Sequence, residues 1–109
     1  MQHITNEGYV DYTIIVEKSD IKDLYWDIRL NTPCVILNNI YIEIEHRGQG
    51  FGKGLLKHVL SISKGMPVYL EVDLQSDTTL DLTSWYKSFG FEDTKKTSMY
   101  NNPIFIKWS

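Results

Sequence analysis

The stretch Ile42-Glu43-Ile44-Glu45-His46-Arg47-Gly48-Gln49-Gly50-Phe51-Gly52-Lys53 decides how this chain reads, because the hydrophobic period changes inside it. Upstream, Val35 to Ile44 reads as extended, bent at Asn38-Asn39. Ile40, Ile42 and Ile44 share one face, and Tyr41 and Glu43 the other. Downstream, Phe51, Leu55, Val59 and Ile62 recur at helical spacing, with Leu56 and Leu60 beside them. Lys53, Lys57, His58 and Lys64 lie off that stripe. The spacing predicts an amphipathic helix, with Gly65 just past its end and Pro67 barring continuation. A glycine-dense loop between a strand and a helix leaves backbone N–H groups at a positive helix end, where an anion can bind. The same residues also suit a tight turn that binds nothing, and the pattern alone leaves both readings open.

Two common phosphate loops fail by position. A P-loop needs glycine where Arg47 stands and Ser or Thr where Gly54 follows Lys53. The dinucleotide fingerprint needs glycine where Lys53 or Leu55 stands.

Working outward, Tyr9 to Glu17 is aromatic and β-branched and reads as a strand. Lys18-Ser19-Asp20 is a turn. Leu24, Trp26, Ile28 and Leu30 alternate with polar neighbours, which predicts a half-buried strand that Asn31-Thr32-Pro33 breaks. Val68 to Asp73 reads as a short strand. Asp77-Thr78-Thr79 offers helix caps, and Thr78 with Asp81 loosely resembles a capping box. A short helix follows, about Leu80 to Phe89, ending at Gly90. Phe91 onwards returns to extended structure. Met99 to Trp108, interrupted by Asn101-Asn102-Pro103, closes the chain as a hairpin-like pair. The order is β-β-β-α-β-α-β-β, an α+β fold with a mixed, mostly antiparallel sheet and two main helices.

The 109 residues fit a single domain spanning 1–109. With 42% hydrophobic and 23% charged residues, the chain can build a core and is not disordered. A net charge of −3 argues against a nucleic-acid partner, whose phosphates demand a basic surface. No apolar run approaches the ~20 residues of a membrane span, and no secretory signal opens the chain, so a cytoplasmic protein without membrane association is expected. The lone Cys34 excludes an internal disulfide and sits in apolar Cys34-Val35-Ile36-Leu37, as a core thiol rather than a nucleophile. His3, His46 and His58 share no metal-ligand spacing with it, and no metal is expected. His46 and Lys95-Lys96 read as surface residues, the latter in a turn. Trp26, Trp85 and Trp108 read as core or interface anchors.

Arg47, Gly50 and Gly52 form Arg-x-x-Gly-x-Gly after Ile42-Glu43-Ile44, and this resembles the acetyl-CoA loop of the GNAT N-acetyltransferase superfamily. Trp85-Tyr86-Lys87-Ser88-Phe89-Gly90-Phe91 is similar to the family's late helix, and Tyr69-Leu70-Glu71-Val72 to the strand before it. The resemblance covers about Val35 to Phe91. Two departures stand out. The two early helices that wall the acceptor site in a full GNAT domain are missing from the pattern, and the stretch from Glu71 to Tyr86 is slightly long. The compact size and Trp-Ser ending are also similar to very small phage-encoded members of the family.

The resemblance implies an acetyl-CoA-dependent N-acetyltransferase. Ile42, Glu43 and Ile44 would hold the pantetheine, and Arg47, Gly48, Gln49, Gly50, Phe51, Gly52 and Lys53 the pyrophosphate. Transfer from a thioester to an amine needs a neutral amine and a protonated leaving thiolate. Glu71 is the first choice as base, with Glu43 in reserve; otherwise Glu71 is a solvated strand carboxylate. Tyr86 would protonate the sulfur; otherwise it is a core aromatic. Missing acceptor walls imply an open groove, suited to a lysine or N-terminal amine of a protein acceptor rather than a small amine, with a homodimer as a secondary expectation. The phage-like features extend the acceptor range to host-defence proteins. The alternative functions are a degenerate GNAT-like module that acts by protein contact and a small-molecule amine acetyltransferase.

Overall fold

The computed structural model describes residues 1–16, 31–46, 48–72 and 82–108. Eight main elements occur in order: β1 (Gln2–Ile4), β2 (Gly8–Ile15), β3 (Cys34–Ile42), α1 (Phe51–Ile62), β4 (Pro67–Glu71), α2 (Leu82–Ser88), β5 (Glu92–Thr97) and β6 (Pro103–Trp108). The strands form one sheet in the order β1-β2-β3-β4-β6-β5. Among the described residues only the β3–β4 pair is parallel. Adjacent parallel strands need a crossover, and α1 supplies it.

Alternation along the strands sorts side chains onto two faces. On one face Val10, Val35, Leu37, Val68, Leu70 and Phe105 pack under Leu55, Leu56 and Val59 of α1, with Leu82, Trp85 and Tyr86 of α2 against the same cluster. On the other, Ile15, Cys34, Ile36, Tyr69 and Ile104 form a second buried cluster to which neither helix contributes. The Tyr69 hydroxyl there accepts from the Asn31 backbone N–H at 3.0 Å and its Nδ2 at 3.1 Å.

The order of element types matches the sequence pattern, but through different segments. β1 stands where no strand was read, and the expected strand over Leu24–Leu30 lies outside the described residues. The expected caps at Asp77-Thr78-Thr79 and the pair Thr78 with Asp81 lie outside them too, as does Trp26. β3 stops at Ile42, two residues before the expected end, because Ile44–His46 turns into a 3₁₀ helix. α1 matches Phe51 to Ile62; its C-cap is Ser63, so the residue just past the cap is Lys64, and Gly65, with φ 77°, follows one position later than the C′ expected of it. Ser63 is buried, and its hydroxyl donates to the Val59 carbonyl at 2.6 Å. The closing hairpin pairs β5 with β6, so Met99 and Tyr100 belong to the turn and not to a strand. Lys95 and Lys96 lie in β5 rather than in a turn. Lys95 takes a left-handed φ of 67°, and its N–H donates to Asp93 Oδ1 at 2.8 Å. Trp108 is 61% exposed at the end of β6 and anchors no core.

Cys34 is fully buried, and burial pushes its thiol up to about 11. That is the environment of an inert core thiol.

His3 of β1 and His58 of α1 stack with ring centroids 3.7 Å apart. Burial and then the nearby His3 charge hold His58 below its ordinary 6.5. A depressed histidine favours the neutral ring in the fold, so its contribution is complete above the unfolded value and is lost as the pH falls below it. The melting temperature is expected to drop on moving from pH about 7.5 to about 5.5, and to drop less in His58→Phe, which keeps a ring but cannot titrate. Equal drops in parent and variant would show that the stacked pair carries no proton linkage.

Candidate active site

The site grows from the parting of β3 and β4. Their parallel ladder pairs Val35 with Val68, Ile36 with Tyr69 and Leu37 with Leu70, and ends there. β3 runs on to Ile42 beside β2. At the same point the β2 register skips Asn38, passing from Tyr12–Leu37 to Asp11–Asn39. An extra residue of this kind bends a strand and increases its twist. Asn38 Nδ2 donates to Thr13 Oγ1 at 2.9 Å, and Asn39 Nδ2 to the Tyr9 hydroxyl at 3.4 Å, so both side chains tie the bulge to β2. Gly8, opposite Ile42, lets the strands stay close: a Cβ there would overlap the Tyr41 carbonyl. β4 meanwhile follows β6, with Glu71 opposite Ile104.

The glycine loop closes one end of this parting. The Glu43 N–H donates to the Glu7 carbonyl at 2.8 Å, and the His46 N–H to the Glu43 carbonyl at 2.9 Å. Gly48 and Gly50 have φ of 79° and 87°, a region that side chains disfavour. Gly50 caps α1 with no side-chain hydrogen bond, and no acidic residue occupies the first turn. The first intrahelical bond runs from the Gly54 N–H to the Gly50 carbonyl at 3.2 Å. The N–H groups of Phe51, Gly52 and Lys53 therefore precede the helical ladder, at its positive end.

Gln49 Nε2 donates back to the Glu45 carbonyl at 3.2 Å, and Phe51 meets the His46 ring edge-on at 5.6 Å. His46 is thus half-buried against Phe51 rather than a plain surface residue. Ile42 is half-buried against the helix-side core, and Glu43 is exposed. Ile44 belongs to the 3₁₀ turn, so Ile42 to Ile44 is not one extended strip. Arg47 lies outside the described residues.

α2 brings Tyr86 toward this end. A Cβ on Gly52 would lie 3.6 Å from the Trp85 ring, so the glycine is where α2 meets the first turn of α1. Tyr86 packs against Trp85 at 5.1 Å and Phe91 at 5.8 Å. Its carbonyl accepts from the N–H groups of Phe89 and Phe91, closing the helix at Gly90 with φ 95°. Burial pushes the Tyr86 phenol up to about 12, so it holds its proton at neutral pH.

Glu71 is neither freely solvated nor on the Tyr86 face. Its pair partner Ile104 and its neighbour Tyr69 belong to the second cluster, which places Glu71 on the face away from the helices. Its Oε2 accepts from Ser98 Oγ at 2.7 Å and Asn102 Nδ2 at 2.8 Å. Ser98 and Asn102, 4% and 7% exposed, are the buried polar partners of Glu71 that sequence reading missed. Only a turn signal at Asn101-Asn102-Pro103 pointed at them. Among the described residues no group of three or more His, Cys, Asp or Glu side chains could hold a metal. None of the described helices is long and apolar enough to cross a membrane.

The sequence matches the family model for an acetyltransferase (GNAT) domain over residues 5–93. The chain therefore belongs to the GNAT acetyltransferase family. Among curated relatives it is 36% identical over 56 residues to the N-alpha-acetyltransferase RimI of Mycobacterium tuberculosis, covering 51% of this chain and 34% of the relative. It is 34% identical over 71 residues to an uncharacterized N-acetyltransferase of Schizosaccharomyces pombe, covering 65% and 42%. The chain thus spans well under half the length of these relatives. Among solved structures, the anti-CRISPR protein AcrVA5 superposes with a TM-score of 0.69 at 22% identity, covering 100% of this chain and 97% of that one. Arabidopsis thaliana Naa50, in complex with the bisubstrate analogue CoA-Ac-MVNAL, gives 0.65 at 22% identity, covering 94% and 66%. Both share the mixed, mostly antiparallel sheet.

Proposed function

We propose that this chain moves an acetyl group from acetyl-CoA to a primary amine, a lysine or N-terminal amine of a protein. One observation carries the reading: two parallel strands part beside a glycine-capped helix N-terminus, with Tyr86 on one face of the sheet and Glu71 on the other. The loop N–H groups from Gln49 to Lys53 take the pyrophosphate of the cosubstrate, with Gly48 completing the turn. Residues 38–43 accompany the pantetheine into the parting, and Ile42 gives it an apolar wall.

Glu71 then takes a proton from the incoming amine, whose ordinary value of about 8 for an α-amine or about 10.4 for lysine leaves it mostly protonated at neutral pH. The neutral amine attacks the thioester carbonyl; as the tetrahedral intermediate collapses the C–S bond breaks and the nitrogen gives up its second proton to solvent, which later returns one to the Tyr86 phenolate. Tyr86 gives its proton to the departing sulfur. Burial holds the phenol at about 12, so the proton is present at neutral pH when the thiolate forms. No residue becomes acetylated, so no nucleophilic triad is required. A protein acceptor is supported by two similar proteins: the RimI relative is an N-alpha-acetyltransferase, and Naa50 is seen with an analogue that carries a peptide.

Calorimetric titration with acetyl-CoA tests the cosubstrate site. Gly50→Asn and Gly50→Asp have nearly equal volume, and each takes the left-handed backbone more readily than most residues. Gly50→Asp also places a negative charge at the anion site. Its affinity is expected to fall at least ~10-fold below that of Gly50→Asn, the equivalent of roughly 1.4 kcal/mol. Equal affinities, or none in the parent, would place the cosubstrate elsewhere and leave the protein-contact module as the reading.

Tyr86→Phe tests the chemistry. With peptides bearing free amines, polyamines and a cell lysate as acceptors for labelled acetyl-CoA, turnover is expected to fall by ~10²–10⁴-fold, with cosubstrate affinity little changed. Unchanged turnover would return Tyr86 to a packing role. Labelling of polyamines with no labelled protein band would contradict a protein acceptor.

A further inference from the structure

The space that a Cβ on Gly52 would fill is bounded by one indole. A Cβ there would lie 3.6 Å from Trp85 Cζ2, 3.7 Å from Trp85 Cη2 and 3.9 Å from Ile42 Cγ1. The first turn of α1, the end of β3 and the benzo edge of Trp85 therefore meet at one point. The ring is held from its other sides by aromatic neighbours. Phe89 meets it edge-on with centroids 4.9 Å apart, and Tyr86 does so at 5.1 Å. Trp85 is half-buried against the helix-side core, so it is a fixed wall and not a loose surface ring.

Its polar atom is not used by the fold. An indole N–H can only donate, and a half-buried tryptophan usually gives that proton to an acceptor. Among the described residues none accepts it. No buried side-chain nitrogen or oxygen among them lacks a partner, so this N–H opens to solvent. In an indole the Nε1–H and Cζ2–H project from the same edge, and Cζ2 is the ring atom nearest Gly52. The proton thus emerges beside the first turn of α1, where the N–H groups of Phe51, Gly52 and Lys53 precede the helical ladder. α1 contains no Asp or Glu to receive any of them. Side-chain and backbone donors converge there.

We propose that Trp85 is a cosubstrate-binding residue, its Nε1–H donating to a non-bridging oxygen of the coenzyme A diphosphate beside the first-turn amides of α1. The inference rests on the reading of Gln49 to Lys53 as the pyrophosphate site. A donor gains more from a charged phosphate oxygen than from a neutral acceptor. Trp85 directly precedes Tyr86, so the cosubstrate contact and the proton donor to the sulfur share one turn of α2.

The test follows the indole proton itself. The chain has three tryptophans, so a ¹⁵N-labelled sample gives three indole N–H signals, and Trp85→Phe identifies that of Trp85. Titration with coenzyme A is expected to move this signal downfield as the N–H gains a phosphate acceptor, further than those of Trp26 and Trp108. Adenosine 3′-phosphate 5′-diphosphate keeps the diphosphate and is expected to reproduce the move. Pantetheine lacks it and is expected to leave the signal in place. Trp85→Phe keeps a ring against Gly52 but loses the donor, and its affinity for coenzyme A is expected to weaken ~10-fold. Should that variant fail to fold, Trp26→Phe and Trp108→Phe assign the remaining signal and the titrations still decide. A silent Trp85 indole with shifting amides at Gln49 to Lys53 overturns the inference and leaves the loop as the cosubstrate site. Silence at both removes the loop reading and the inference with it. Movement with pantetheine but not with the nucleotide, or unweakened binding by folded Trp85→Phe, also overturns it.

Discussion

The site depends on one constraint: β3 must leave β4 after Leu37 while remaining hydrogen-bonded to β2. A bulge at Asn38 accomplishes the departure, and Gly8 allows β2 to follow by letting the Tyr41 carbonyl come close. The core holds both strands on the near side of this point. Val35 and Leu37 on β3, with Val68 and Leu70 on β4, are pinned under Leu55, Leu56 and Val59 of α1. The strands are therefore locked where they pair and diverge beyond it. The candidate site sits at the divergent end. α1 starts there, the glycine loop turns there, and Glu71 is the last residue of β4.

The two faces of the sheet divide the chemistry. The helix face supplies Tyr86, buried among Trp85 and Phe91, with a proton held tightly by its surroundings. The opposite face supplies Glu71, held by polar donors from a turn. In the proposed mechanism a thioester drawn between the strands would meet both, from opposite sides, with no need for the two residues to touch.

The legible part of the sequence was the part governed by local periodicity. α1 was readable end to end, because a stripe of Phe51, Leu55, Val59 and Ile62 is long and sharply periodic. The loop and the late helix carried family motifs. β1 escaped because three residues, Gln2-His3-Ile4, show no period. β5 escaped as a distinct strand because it is an edge strand of Glu-Asp-Thr-Lys-Lys-Thr, and edges protect themselves with charge. Ser98 and Asn102 escaped for a different reason. Their partner lies across the sheet, and a hydrogen bond spanning that separation leaves no periodic trace.

The central claim is that coenzyme A enters where the strands part. A titration of ¹⁵N-labelled chain with coenzyme A, followed by amide chemical shifts, measures this most directly. The account predicts the largest shifts at Gln49 to Lys53 and along residues 38–43, with smaller ones at Trp85 and Tyr86. Shifts centred on β1, β5 or the far end of α1, with the glycine loop silent, would contradict it.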